Sequence, residues 1–162
     1  MIIHVPNKNT LIIDDFKLRC CIGKKGINSN KKEGDYSTPK GLFGLKRLYF
    51  RKDRVDTPSC KINKKIIKID MAWCDDPKHK KYNKEIKTLN KNLKENLHRK
   101  DHKYDYMISI SHNEKQTMGK GSAIFIHLTN DYKPTAGCVA LKKKDFEILL
   151  KLIDKKTKIK IG

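Results

Sequence analysis

One thiol and one imidazole carry the chemistry that this sequence offers. His127 precedes Cys138 by eleven positions within GSAIFIHLTNDYKPTAGCVAL, residues 121–141. A free cysteine titrates near ~8.5, so a nucleophilic role at neutral pH needs a neighbouring base. His127 ends the apolar run Ala123-Ile124-Phe125-Ile126, and Cys138 opens Val139-Ala140-Leu141. Two adjacent strands joined by the intervening polar loop would bring both groups to one edge. Gly137 lets a substrate approach the backbone, and the N–H groups of Gly137 and Cys138 are candidates for an oxyanion hole. The plain alternative is a buried free thiol beside a satisfied histidine. His112, which also follows a strand-like run, is the second choice of base. His79, His98 and His102 lie in charged segments and read as solvated, and His4 reads as structural.

Other chemistries find less support. The cysteines at 20, 21, 60, 74 and 138 form no CxxC pair, which argues against a structural zinc site. Asp75-Asp76 with His79 reads as a turn rather than a metal cluster, and neither metal nor cofactor is expected. The odd cysteine count leaves at least one thiol free.

The elements that must position the pair are mostly short strands. Ile2–Val5, Thr10–Ile13, Phe16–Ile22, Leu42–Phe50, Ile66–Ile69, Tyr104–Ser111 and Lys158–Ile161 are apolar runs between turn residues. Phe43, Leu45 and Leu48 are expected core side chains, as is the face formed by Tyr106, Ile108 and Ile110. Met71–Asn83 reads as a loop because Asp76-Pro77 disfavours helix. Ile86, Leu89, Leu93 and Leu97 fall at helical spacing, which predicts an amphipathic helix over Lys84–Leu97. A second helix is predicted over Lys144–Ile153, packed through Phe146, Leu149, Leu150 and Ile153. Many strands without a βαβ rhythm indicate a mainly β sandwich or barrel with one or two appended helices. At 162 residues, one domain over 1–162 is expected.

The formal charge is +20, spread from Lys8 to Lys160 without a separate basic tract. Such a charge suits nucleic acid, an anionic membrane or an acidic polymer such as a cell-wall glycan, and equally a plain solvated surface. The aromatics are not interleaved with the basic residues, so no specific nucleic-acid partner is expected. No apolar run approaches the ~20 residues of a membrane span. The N-terminus MIIHVPNKNT shows no signal-peptide pattern.

Several segments together resemble the L,D-transpeptidase catalytic domain family (YkuD-type). They are Thr135-Ala136-Gly137-Cys138 after His127, Glu33-Gly34-Asp35 with Thr38-Pro39, Gly41 and Phe43, and Trp73–Pro77 with His79 and Tyr82-Asn83. Tyr104-Asp105, Gly121–His127 and Pro134–Leu141 complete the set. The similarity is to a small branch carrying GSAIF-x-H and PT-x-GCVAL segments. It implies a β-sandwich-like catalytic fold and cysteine-dependent acyl transfer on peptidoglycan stem peptides. Cys138 would form the thioester with His127 as general base, by transpeptidation or carboxypeptidation. It implies a cell-envelope or periplasmic location. Thr135, His112, Trp73 and Tyr82 are candidate cleft residues, Trp73 and Tyr82 as a wall or as structural supports. Thr135 stands where the mainstream motif has Ser, Ala136 where it often has His, and Ala140 where it has Arg. The alternative from another class is a catalytically silent basic module that binds an anionic polymer.

Overall fold

Short apolar runs between turn residues fold into short strands. The computed structural model describes residues 1–89 and 95–162. Its first strands are β1 (Ile2–Val5), β2 (Thr10–Ile13), β3 (Phe16–Arg19), β4 (Ile27–Asn28), β5 (Thr38–Pro39), β6 (Gly41–Phe50) and β7 (Lys64–Ile66). There follow β8 (Met71–Trp73), β9 (Glu85–Lys87), β10 (Glu95–Asn96), β11 (Tyr106–Ile110), β12 (Phe125–Leu128) and β13 (Val139–Leu141). Helix α1 (Lys143–Leu152) and β14 (Lys158–Ile161) end the order. The fold is mainly β with one helix among the described residues.

A nine-stranded sheet runs β13-β12-β11-β6-β14-β1-β2-β3, with β7 added beside β6. Its two ends approach each other. Just past β3, Cys21 exchanges backbone hydrogen bonds with Ala140 of β13, at 2.9 and 2.8 Å, so the sheet is nearly closed. Closure leaves fewer exposed edge groups. The enclosed core contains Ile3, Leu11, Leu48, Ile108, Ile126, Leu141 and Ile159. Phe146, Leu149 and Leu150 of α1 pack into it, as their i, i+3, i+4 spacing requires.

The far side of β6, β11 and β12 is buried as well. Tyr49, Met107 and Phe125 form a second cluster there with Ile67, Met71, Leu97, Tyr104 and Cys138. A small sheet, β10-β8-β9, contributes to this layer through Met71 and the partly buried Trp73. Period-two alternation therefore divides β12 cleanly. Ile126 and Leu128 enter the enclosed core, and Phe125 and His127 point to the other side.

Among the described residues, strands stand at both ends of the helix predicted over Lys84–Leu97. Glu85–Lys87 and Glu95–Asn96 are the two strands that flank β8, pairing Ile86 with Ala72 and Asn96 with Ala72 from opposite edges. Leu93 lies outside the described residues, and Leu89 is exposed. Helical spacing arose because Ile86 and Leu97 are buried from separate segments, and satisfying both edges of β8 outweighed the local pattern. The strand expected at Ile66–Ile69 lies earlier, at Lys64–Ile66, where it pairs with β6. Met71–Trp73, expected as loop, is the central strand β8.

Candidate active site

Alternation places the nucleophile candidate as it places the imidazole. In β13, Val139 and Leu141 anchor in the enclosed core, so Ala140 and the preceding Cys138 turn to the opposite face. Strands β12 and β13 are parallel, and His127 lies opposite Ala140. Cys138, His127 and Ala140 thus line one cleft of about 610 Å³. Thr135, Ala136 and Gly137 form part of its wall, as do Lys31, Glu33, Tyr36, Arg99, Lys103 and Tyr104.

The loop that presents Cys138 is held from outside. Its Thr135 N–H donates to Ile22 O, and Lys24 N–H donates to Thr135 O, each at 2.9 Å. Thr135 Oγ1 donates to Cys138 O at 2.6 Å and accepts from Gly137 N–H at 3.1 Å. A hydroxyl at this position therefore ties the turn together. Gly137 is required by space: a Cβ there would stand 2.8 Å from Ser37 O, and its φ is +154°. Because the Gly137 N–H is engaged with Thr135, it is not free in the resting turn. The Cys138 N–H has no hydrogen-bond partner among the described residues.

Both side chains are buried, and burial favours the neutral form of each. Cys138 is 8% exposed and His127 6%. The thiol donates to Ala123 O at 3.2 Å, and Sγ accepts from Phe125 N–H at 3.3 Å. Burial pushes its pKa up to about 12, against the opposing Phe125 bond. Burial likewise pushes His127 down to about 4, although the Leu128 carbonyl favours the charged ring. His127 Nδ1 lies 2.8 Å from Leu128 O. A carbonyl only accepts, so Nδ1 carries the proton and Nε2 keeps its lone pair. The ring packs edge-on to Tyr104, centroids 5.3 Å apart. Tyr104 in turn donates to Glu95 at 2.8 Å. No hydrogen bond joins His127 to Cys138 among the described residues.

The other sequence candidates take supporting places. His112 is not at this cleft: its Nε2 lies 2.9 Å from Lys120 O, and its ring contacts Phe43. Trp73 and Tyr82 do not line it either. Trp73 packs edge-on to Phe125, centroids 5.1 Å apart, beneath β12. Tyr82 is fully buried; its hydroxyl donates to Glu33 and accepts from Gly121 N–H at 3.0 Å. Tyr82 thereby secures Glu33, which does face the cleft. Asp35 closes the same rim loop by accepting from Lys31, from Lys32 N–H at 2.8 Å and from Ser37 N–H at 2.9 Å. Asp76 and His79 form a turn, accepting from the N–H groups of Lys78 and Lys81 at 2.9 and 3.0 Å.

Two cleft cations have no signature in the sequence. Arg99 and Lys103 follow β10 and line the cleft, where Ala140 supplies no charge. Arg99 is committed: it pairs with Asp101 at 2.7 Å and Glu95 at 3.3 Å and lies over the Tyr104 ring. Lys103 forms no salt bridge among the described residues.

A profile of the L,D-transpeptidase catalytic domain (YkuD) matches residues 1–161. The chain belongs to the YkuD family. Membership supports L,D-transpeptidase-type chemistry on peptidoglycan in general. No curated protein matches the chain. Among solved structures, the YkuD chain is similar to the helical cell shape determining protein Pgp2 from Campylobacter jejuni, at 18% identity and TM-score 0.55. That match covers 99% of this chain and 46% of Pgp2, and at such identity the likeness is one of fold. Bd1075 of Bdellovibrio bacteriovorus matches at 13% identity and TM-score 0.48, over 99% of this chain and 47% of that one. The YkuD chain therefore spans about half the length of both. Among the described residues no helix is long and apolar enough to cross a membrane.

Proposed function

We propose that this YkuD domain carries out cysteine-dependent acyl transfer on peptidoglycan stem peptides, in the cell envelope. The carrying observation is that His127 on β12 and Cys138, the residue before the parallel strand β13, line one cleft. The tautomer that leaves His127 Nε2 unprotonated supports the same reading.

In this reading, Cys138 Sγ attacks the carbonyl that links the diamino acid to a terminal D-alanine. The S–C bond forms as His127 Nε2 takes the thiol proton, and the Cys138 N–H faces the developing oxyanion. The C–N bond then breaks, and His127 returns the proton to the departing amine. An amine acceptor resolves the thioester in transpeptidation, and water resolves it in carboxypeptidation. The ammonium of Lys103, which forms no salt bridge among the described residues, takes the terminal carboxylate of the substrate. Proton transfer accompanies attack in this reading, since burial favours the neutral thiol and the neutral imidazole.

The test is incubation with purified muropeptides, with and without an amine acceptor, followed by mass spectrometry. Release of D-alanine or formation of a cross-linked product is expected, and Cys138→Ala and His127→Ala should each abolish it. Product formation by both variants at the parental rate would refute the assignment. Steeply salt-dependent polymer binding without turnover, unaffected by Cys138→Ala, would indicate the binding module instead.

A further inference from the structure

The Trp73–Asn83 segment carries no reacting group, yet one side chain in it is tied to the nucleophile. Asn83 is buried and left-handed, with φ +55°. Its Oδ1 accepts from Trp73 Nε1 at 2.9 Å and from Ala123 N–H at 3.1 Å. Its Nδ2 donates to His112 O and Asn113 O, both at 2.9 Å. Two donors face two carbonyls and two acceptor positions face two N–H groups. The opposite amide orientation would satisfy none of the four, so the assignment is unambiguous.

Ala123 is the link. It adopts φ +53°, a conformation that an L-residue with a Cβ holds only under outside constraint. Its N–H is bound by Asn83, and its carbonyl accepts the Cys138 thiol at 3.2 Å. The neighbouring Gly121 is held in the same way, its N–H by Tyr82 at 3.0 Å and its carbonyl by Asn113 at 2.9 Å. Side chains from outside thus set the segment that frames Sγ, in the absence of a strand ladder at these residues.

We propose that Asn83 is a positioning residue for the nucleophile, holding the Ala123 carbonyl where it orients the Cys138 thiol and keeps it protonated until substrate arrives. The proposal rests on the reading of Cys138 as the nucleophile. It separates two properties that usually move together. A hydrogen bond from S–H to a carbonyl favours the thiol over the thiolate. Releasing Ala123 makes Cys138 easier to ionise and at the same time removes its aim.

Asn83→Gly is the suitable variant, because glycine tolerates the positive φ. Iodoacetamide labelling of Cys138, followed by peptide mapping against the other four thiols, is expected to be at least tenfold faster than in the parent at pH 8. Turnover of muropeptide should fall at least tenfold in the same preparation. Trp73→Phe removes the other partner of Oδ1 and leaves the Ala123 bond, so its labelling rate should stay parental even where stability drops. Parental labelling in folded Asn83→Gly, or equal acceleration in Trp73→Phe, would overturn the proposal. Should Asn83→Gly not fold, amide hydrogen exchange of the unmodified protein decides. The Ala123 N–H should exchange far more slowly than an exposed loop amide, and exchange at the exposed rate would overturn the proposal. Neither labelling nor exchange requires peptidoglycan turnover. An inactive parent with the expected labelling pattern would count against the substrate assignment alone.

Discussion

The protonation state of the resting site gives the most demanding prediction. With Cys138 pushed up to about 12 and His127 down to about 4, eight pH units separate the two groups. Moving the proton from Sγ to Nε2 before substrate arrives would cost roughly 10 kcal/mol at ~1.36 kcal/mol per pH unit, less the attraction of the ion pair formed. Burial of both groups therefore disfavours a resting thiolate–imidazolium pair. At pH 7 the thiolate fraction of Cys138 is about 10⁻⁵, a thousandfold below that of a thiol at the ordinary value of 9.0. The assay is the rate of iodoacetamide labelling of Cys138 from pH 6 to 10, with a small peptide thiol in the same tube. Labelling should rise about tenfold per pH unit throughout, without a plateau, while the peptide thiol levels off near its own pKa. His127→Ala should leave this slope unchanged, because an uncharged ring does not sustain a thiolate, and yet remove turnover. A labelling rate constant across pH 6 to 8 that depends on His127 would show a preformed ion pair and refute the reasoning.

Three further outcomes are expected. Above pH 6.5 the imidazole of His127 is neutral both folded and unfolded; between there and about pH 4 only the unfolded chain takes up the proton. Stability should therefore fall by about 3 kcal/mol over that window and level off below it, in urea titrations, and His127→Asn should remove this contribution. Lys103→Ala should raise KM several-fold for a stem peptide with a free terminal carboxylate and leave KM unchanged for its amide, as steady-state kinetics would show. Tyr82→Phe removes a buried hydroxyl that serves both Glu33 and the Gly121 N–H. It should cost about 1–3 kcal/mol in chemical denaturation with the fold retained.

That His127 and Cys138 share one side was legible because strand alternation is a local property. The run Phe125–Leu128 and the run Val139–Leu141 each bury alternate residues, which sends His127 and Cys138 to the common side. The segments at 33–43 and 73–83 were legible as motifs but not as mechanisms. Their roles lie in contacts between residues far apart in sequence, such as Tyr82 to Glu33 and Asn83 to Ala123. The supposed helix at 84–97 marks the opposite limit. Periodicity reports which residues are buried but not whether they are buried by one element or two.

Sequence alone determined a mainly β chain, its family, and a thiol and imidazole at adjoining strand ends, since all three follow from short-range pattern and motif. Only the tertiary structure decided the state in which that pair rests. Thr135, bonded to Ile22 and Lys24, fixes the loop before Cys138, burial favours the neutral form of both groups, and Asn83 acts on the thiol through Ala123. Each of these depends on desolvation or on a partner many residues distant, and a linear pattern does not encode such distances.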